Sequence, residues 1–200
     1  ANMVDPDAQT RRADLEYALG CIDLAADVGA KVDHLFSGRL PEGVAREEAW
    51  RWLVDGVSRC IEHGLVRGVQ VAFEPVATHF VCNVAGLREL MDSLEPLALN
   101  VNFDPSHYLV HGDDCAEAVR SFGKGIVHVH MKDARGTPED YQFPPFGQGD
   151  MDFPPIVEAL RDTGYRGFLS VEYEANAFGF RETEDAILDG SLRFLRQLLT

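Results

Sequence analysis

The sequence predicts an α/β fold in which parallel strands alternate with helices, and three observations support it. Short apolar segments with a period of two residues recur along the chain, helical segments separate them, and four of the strands end in a metal-ligand type of side chain. Strands with helices on one side and a polar interior on the other are typical of a βα barrel, whose active site lies at the C-terminal strand ends.

Five segments are predicted as strands: 31–36, 69–74, 99–104, 126–130 and 169–172. Successive side chains of a strand point to opposite faces, so an alternating pattern assigns each residue to one face. In the segment 69–74, Val69, Val71 and Phe73 form an apolar row, and Glu74 ends the opposite row. The segments 99–104 and 169–172 repeat this pattern, each with a carboxylate at the end of the less apolar row. The segment 31–36 is less clear in phase.

Six segments are predicted as helices: 5–29, 47–63, 86–94, 115–122, 154–163 and 183–199. Asp5 and Pro6 are typical of an N-cap followed by proline in the first turn, and Gly29 ends that helix. Gly64 follows the second helix in the same way. The order is one helix, then strand and helix five times, which predicts a parallel sheet with right-handed crossovers.

The number of strands predicts an incomplete barrel. A closed barrel of this type has eight strands and usually about 250 residues, whereas this chain has 200 residues and five predicted strands. We therefore expect one domain, residues 1–200, that holds about strands four to eight and lacks the first ones. A genuine five-stranded open sheet is the alternative. If the barrel lacks its first strands, the edge at the strand 31–36 has no neighbour, and we expect the chain either to self-associate into a homo-oligomer through that edge or to be poorly stable, with weak turnover.

Composition restricts the compartment and the partners. A composition of 46% hydrophobic and 26% charged residues indicates a soluble globular chain, and the sequence predicts neither a membrane segment nor a signal peptide. The cytoplasm is the expected location. A formal net charge of -15 disfavours nucleic acid as a partner. The four cysteines are widely spaced, which favours free thiols in a reducing compartment.

The side chains at the four strand ends are of the types that bind one divalent cation. They are Glu74, Asp104, His130 and Glu172. Three carboxylates and one imidazole form a mostly hard, oxygen-rich ligand set. This set favours Mn²⁺ or Mg²⁺, with Co²⁺ or Zn²⁺ as further options through the histidine.

An ordered set of motifs resembles the sugar phosphate isomerase/epimerase family. The motifs are Phe-Glu-Pro at 73–75, Asn-Phe-Asp-Pro-Ser-His at 102–107, His-Val-His-Met-Lys-Asp at 128–133, Gly-Gln-Gly-Asp-Met-Asp-Phe at 147–153 and Ser-Val-Glu-Tyr-Glu at 170–174. The family consists of xylose isomerase-like (β/α)8 TIM barrels and also includes ketose 3-epimerases, hydroxypyruvate isomerases, inosose dehydratases and apurinic-site endonucleases. The resemblance covers essentially the whole chain.

The resemblance implies roles for individual residues. Four positions match the family's metal ligands, namely Glu74, Asp104, His130 and Glu172, and in the epimerases the two matching glutamates are also the acid and the base. His107 matches a histidine that contacts the substrate. Lys132 belongs to a His-x-Lys-Asp signature, and we expect it to orient the far end of the substrate through hydroxyls or a phosphate. Arg135 lies near the offset of a substrate-binding arginine and is the weaker candidate.

These residues predict an enzyme that moves a proton on a carbon next to a carbonyl. A divalent cation stabilises the resulting enediolate, and a carboxylate takes the proton. The leading hypothesis is a metal-dependent isomerase or epimerase of a small sugar, sugar phosphate or keto-polyol. One alternative is a lyase on the same scaffold, similar to an inosose or dehydroshikimate dehydratase, and another is a catalytically silent fragment. The acidic charge and the few histidines argue against a nuclease.

Some features leave two interpretations open. His128 shares the row of His130 but lies deeper, which favours a hydrogen-bonded core histidine. The other histidines, His34, His63, His79 and His111, are interpreted as structural or solvent-facing. The segment 134–149 is long for a connection and is a candidate substrate-covering loop. Within it, the backbone amides of Gly147 and Gly149 either receive a phosphate or form a turn before the next helix.

Overall fold

The chain divides into two compact units. In the computed structural model these are Ala1–Asn102 and Phe103–Thr200. The structure describes residues 1–200, except for the side chains at positions 175 and 176. Each unit is built from alternating helices and strands around its own buried apolar side chains.

The first unit alternates three helices with three strands. They are α1 (Ala8–Asp27), β1 (Val32–Leu35), α2 (Arg46–Arg67), β2 (Gln70–Phe73), α3 (Val84–Leu94) and β3 (Asn100–Phe103), whose last residue opens the second unit. Strand β2 pairs in parallel with β1 and with β3. Helix α1 packs on α2 and α2 packs on β2. The apolar row of β2 is buried as the alternation predicts, with Val71 and Phe73 almost inaccessible to solvent.

The second unit begins with two short helices and contains the remaining strands. Its elements are α4 (Pro105–Val110), α5 (Cys115–Phe122), a 3₁₀ turn (Gly123–Gly125), β4 (Ile126–Met131), β5 (Arg135–Thr137), β6 (Asp140–Gln142), α6 (Phe153–Asp162), β7 (Leu169–Val171), α7 (Ala175–Phe178) and α8 (Glu184–Leu199). Strands β4 and β7 are parallel neighbours, in a register that pairs His130 with Ser170. Helix α6 packs on α5 and on α8.

The five main strands belong to one sheet, whose order β1-β2-β3-β4-β7 follows the chain. Strands β5 and β6 form a separate antiparallel hairpin. Successive βα units that add neighbouring strands in chain order are the pattern of a βα barrel. The predicted α/β class, the five parallel strands and their alternation with helices are therefore confirmed.

The second helix is longer than the sequence predicts. Its end was expected at His63, but α2 continues to Arg67, and Gly68 forms its left-handed C-cap with φ 71°. Gly64 lies inside the helix, and the chain leading into β2 passes so close that only glycine fits at this position. A Cβ there would lie 2.6 Å from the carbonyl oxygen of Val69. This glycine therefore permits close packing and does not end the helix.

The first helix begins later than the sequence predicts. Its N-cap is Asp7, whose carboxylate accepts hydrogen bonds from the N–H groups of Gln9 and Thr10. Asp5, the expected N-cap, accepts the N–H of Asp7 instead, at 2.9 Å. Two acidic residues at this spacing before a helical pattern offer two equivalent caps, so the sequence alone does not separate them.

Four short helices and strands are absent from the prediction, namely α4, β5, β6 and α7. Helix α4 follows directly after β3, capped by Asp104 with Pro105 in its first turn. The hairpin β5-β6 occupies part of the segment predicted as a long loop, and α7 follows the last strand. Among the helices described, none has the length and apolar character needed to cross a bilayer.

Candidate functional site

Glu74 follows β2 in the first unit and is buried, with 5% of its surface exposed. Its N–H donates to the carbonyl of Leu35 at 2.8 Å, which continues the sheet by one residue. The Asn102 side-chain amide donates to Glu74 Oε2 at 3.0 Å. His34 Nε2 lies 3.9 Å from the same oxygen. His34 was interpreted as structural or solvent-facing, and its position beside a candidate ligand was not predicted.

Asp104, His130 and Glu172 lie together in the second unit. Each offers one potential ligand atom, and these atoms lie within 4.8 Å of one another. His130 Nδ1 is 2.9 Å from Glu172 Oε2. Asp104 is fully buried, and its Oδ1 accepts the N–H and the hydroxyl of Ser106 at 2.9 and 2.6 Å, which leaves Oδ2 directed away from the helix cap. The predicted ligands from three strands are thus brought together.

Lys132 lies among three carboxylates of the second unit. Its Nζ is 2.8 Å from Asp104 Oδ2, 3.2 Å from Glu172 Oε2 and 2.9 Å from Glu174 Oε1. It also lies 4.6 Å from the ring centroid of Phe143, and only 1% of the lysine is exposed. Glu174 was not predicted as a site residue, although it shares the quoted motif with Glu172. Three carboxylates around one ammonium leave this group of side chains with excess negative charge.

Burial and neighbouring charges determine the protonation states of Asp104, Glu172 and Lys132. Burial alone would raise the pKa of Asp104, but Lys132 and His107 outweigh it and lower the pKa to about 2. Burial would also raise the pKa of Glu172, but His130 and Lys132 lower it. Burial would lower the pKa of Lys132, yet the surrounding carboxylates raise it. At neutral pH both acids are therefore ionised and the lysine is charged.

His107 lies beside this group and is neutral at pH 7. Its Nε2 is 3.5 Å from Asp104 Oδ2 and 3.3 Å from Lys132 Nζ. Its ring meets that of Phe143 edge-on, with 5.1 Å between the ring centroids. Burial lowers the pKa of His107 from 6.5 to about 4. Contact with a substrate remains a prediction for this residue.

The lowered pKa of His107 predicts a loss of stability on mild acidification. Below pH 6.5 the unfolded chain takes up a proton at His107, while the folded protein takes it up only near pH 4. Between about pH 7 and 5 the free energy of unfolding of the metal-free protein should fall by about 2 kcal/mol. Urea denaturation in EDTA at both pH values measures this. His107→Asn should abolish most of the difference, and an unchanged difference would contradict the assignment.

The donor set of this group fits a hard or borderline divalent cation. Two carboxylates and one imidazole converge, and the negative charge there exceeds what Lys132 neutralises. Hydrogen-bonded carboxylates with nitrogen from a histidine are typical ligands of Mn²⁺, Mg²⁺ and Zn²⁺ in proteins. The second unit alone therefore offers three ligands to a divalent metal.

Asp133, the residue after Lys132, anchors the segment that follows. It is buried, and its carboxylate accepts the backbone N–H groups of Ala134, Gly147, Gly149 and Met151 at 2.8 to 3.2 Å. The amides of the two glycines are therefore directed at a carboxylate of the protein itself. This arrangement favours the interpretation of the glycines as a turn over that of a phosphate-binding loop.

We expect Asp133→Asn to loosen the segment 134–151. An amide replaces one acceptor oxygen with a donor, and each oxygen of Asp133 accepts two N–H groups, so two N–H groups lose their acceptor at a cost of about 1–3 kcal/mol. Hydrogen exchange at the amides of Gly147 and Gly149 should become faster. Asp140→Asn, an exposed change in the β5-β6 hairpin, is the matched control. Equal exchange in the two variants would contradict the role of Asp133.

The remaining histidine and arginine candidates lie next to the cluster of Asp104, His130, Lys132 and Glu172 or away from it. Arg135 is exposed on the hairpin, and its guanidinium donates to the Gln142 side chain at 2.6 and 3.0 Å. Its role in substrate binding stays a prediction. The ring of His128 lies edge-on to that of His130, with centroids 5.3 Å apart. His63 pairs with Asp23 at 2.8 Å, consistent with a structural role.

Comparisons with known proteins agree with this architecture. Inosose dehydratase of Clostridium perfringens (strain ATCC 13124) is 26% identical over an alignment of 196 residues, and the match covers 84% of this chain and 65% of the relative. The chain thus spans less than two thirds of the length of that relative. Two solved structures share the fold, each at 19% identity with a TM-score of 0.81. They are the 3-keto-D-glucoside 4-epimerase of E. coli and the IOLI protein with a bound zinc atom.

These two structural matches cover 98% of this chain and, respectively, 75% and 73% of those chains. At this identity they support the fold alone. The model of the xylose isomerase-like TIM barrel family matches residues 1–198, almost the entire sequence. The chain therefore belongs to the xylose isomerase-like TIM barrel family.

Proposed function

We propose that this chain carries the metal- and base-bearing part of an enzyme that isomerises or epimerises a small sugar, sugar phosphate or keto-polyol. The reaction would proceed by proton transfer at a carbon next to a carbonyl. The observation that carries the proposal is the meeting of Asp104, His130 and Glu172, with ligand atoms within 4.8 Å of one another and with excess negative charge around them. The relative from C. perfringens, an inosose dehydratase, supports the substrate class.

Glu74 is proposed as the fourth metal ligand. It ends β2, the neighbour of β3 in the sheet, and its carboxylate accepts from Asn102. Asn102 and Asp104 are two residues apart along the same stretch of chain, so in extended backbone they face the same side. The four ligands together favour Mn²⁺ or Mg²⁺. Zn²⁺ is a further option through the histidine; the IOLI protein, which shares the fold, has a bound zinc atom.

The chemistry then follows from the residues. A divalent ion bound there would supply Lewis-acid stabilisation of negative charge at the substrate's carbonyl oxygen. Glu172 is ionised and about one third exposed, so its carboxylate is available as the general base. His130 and Lys132 hold it in place. Glu74, as the second carboxylate, would return a proton; two separate carboxylates give epimerisation, and a single one shuttling the proton gives isomerisation.

Dehydration is a second candidate function, because the curated relative from C. perfringens is an inosose dehydratase. The same base would remove the proton next to the carbonyl. A hydroxyl group on the following carbon would then accept this proton from the base and leave as water. The two functions share the first proton transfer and differ in the step that follows it and in the product.

Proton NMR in D₂O distinguishes these functions. The protein with Mn²⁺ is incubated separately with a ketohexose and with an inosose. We expect deuterium to enter at the carbon next to the carbonyl; an interconverted sugar indicates isomerisation or epimerisation, and an unsaturated ketone indicates dehydration. Glu184→Gln, an exposed change in α8, is the control and should leave the exchange intact. Tight Mn²⁺ binding without exchange in either substrate would contradict the proposal.

A further inference from the structure

A cavity of about 280 Å³ lies between α1 and α2 in the first unit. None of the residues that line it belongs to the candidate site formed by Asp104, His130, Lys132 and Glu172. Met3 and Leu15 give it an apolar base, and both are buried. Trp52 forms one wall. The remaining lining is dominated by guanidinium groups from the two helices.

Four arginines line this cavity: Arg11, Arg12, Arg51 and Arg59. Asp55 is the one acidic residue among the lining side chains, so the cavity has an excess of three positive charges. The whole chain has 33 acidic residues against 18 lysines and arginines. The cavity lining is therefore positively charged, whereas the molecule as a whole is negatively charged.

Three of these guanidinium groups lack a carboxylate partner. Within the part of the chain that the structure describes, Arg12, Arg51 and Arg59 form no ion pair. Arg51 donates only to the backbone carbonyl of Glu47, at 3.4 Å. Arginines of an acidic protein that are not paired with its own carboxylates are available to an external anion.

Arg11 is held in a fixed position. Its guanidinium carbon lies 3.8 Å from the ring centroid of Trp52, and the same group donates to the backbone carbonyls of Asp5 and Pro6. Stacking on an indole and two hydrogen bonds reduce the conformational freedom that binding would otherwise remove. The wall formed by Arg11 and Trp52 is thus preorganised.

We propose that this cavity binds a small organic anion that carries a phosphoryl group. A phosphoryl group has a charge of about -1.5 to -2 at pH 7 and three strong acceptor oxygens, which match several guanidinium groups at once. The apolar base receives the organic part of the ligand. The volume is near the lower end of small-molecule sites, which favours a compact ligand.

Tryptophan fluorescence tests this proposal. The chain has two tryptophans, so Trp50→Phe leaves Trp52 as the sole reporter, next to Arg11. The probes are phenyl phosphate, inorganic phosphate and phenol, in EDTA at constant ionic strength, so that a metal site does not contribute. We expect a saturable change with phenyl phosphate, at least tenfold weaker binding of inorganic phosphate, and no saturable change with phenol.

Matched variants complete the test. In the Trp50→Phe background, Arg51→Ala with Arg59→Ala should weaken the binding of phenyl phosphate at least tenfold. Arg193→Ala with Arg196→Ala removes the same charge from exposed positions of α8 and should leave it unchanged. Equal weakening by both pairs, or a change that sodium chloride reproduces, would overturn the proposal. Because binding is measured without metal or turnover, failure here is distinct from failure of the proposed enzymatic function.

Discussion

Glu172→Gln is expected to lower kcat by about 10²–10⁴-fold, the range for loss of a general base. Glutamine keeps the size of the side chain and one oxygen but cannot take a proton. Glu74→Gln should have an effect of the same order if Glu74 is the second acid-base residue. Steady-state assays at saturating Mn²⁺ with the substrate identified by NMR measure both effects.

Two comparisons keep this prediction specific. Glu184→Gln changes an exposed carboxylate of α8 and should retain full turnover, as should His79→Ala. Circular dichroism and bound-metal analysis separate a lost base from a lost fold or a lost ion. If Glu172→Gln turned over substrate like Glu184→Gln, Glu172 would not be the base.

Lys132→Met should lower the free energy of unfolding of the metal-free protein by about 3–5 kcal/mol, the usual cost of removing one partner of a buried ion pair. Asp104 is fully buried and Lys132 almost so. The variant leaves the Asp104 carboxylate without its nearest cation. Urea denaturation in EDTA measures the loss, and saturating Mn²⁺ should recover much of it, because the ion supplies positive charge to the same carboxylate.

The control for this change is Lys124→Met, which removes an exposed lysine near the start of β4 and should cost under about 1 kcal/mol. The variant also separates two roles of Lys132. A raised KM with unchanged metal affinity would indicate that Lys132 orients the substrate. Altered metal affinity would indicate that it positions the carboxylates. Wild-type stability in Lys132→Met would contradict both the burial and the pairing.

The sequence predicted the sheet well, because the alternation of apolar and polar residues is a local signal. The segments ending at Glu74 and Asp104 carry this signal clearly, and the structure has a strand at each. The start of α1 after Asp7 and the continuation of α2 beyond Gly64 were harder to predict. Each depends on which of two equivalent caps is used or on how closely another part of the chain approaches.

The interior of the candidate site was less predictable for a different reason. The substrate-orienting role of Lys132 stays a prediction, but its ion pairs were not predicted: the ammonium contacts Asp104, Glu172 and Glu174, which lie 28 to 42 positions away in the sequence. No periodicity encodes such pairings. The hydrogen bonds that the N–H groups of Gly149 and Met151 donate to the Asp133 carboxylate likewise join residues far apart in sequence.

Anomalous diffraction from crystals soaked in Mn²⁺ tests the proposed four-ligand metal site. We expect a single strong manganese peak, with oxygen and nitrogen donors of Glu74, Asp104, His130 and Glu172 at about 2.0–2.6 Å. Asp104→Asn crystals, treated in the same way, should show a much weaker peak. No peak at saturating Mn²⁺, or a peak elsewhere while these four side chains coordinate nothing, would show that these residues do not form the metal site.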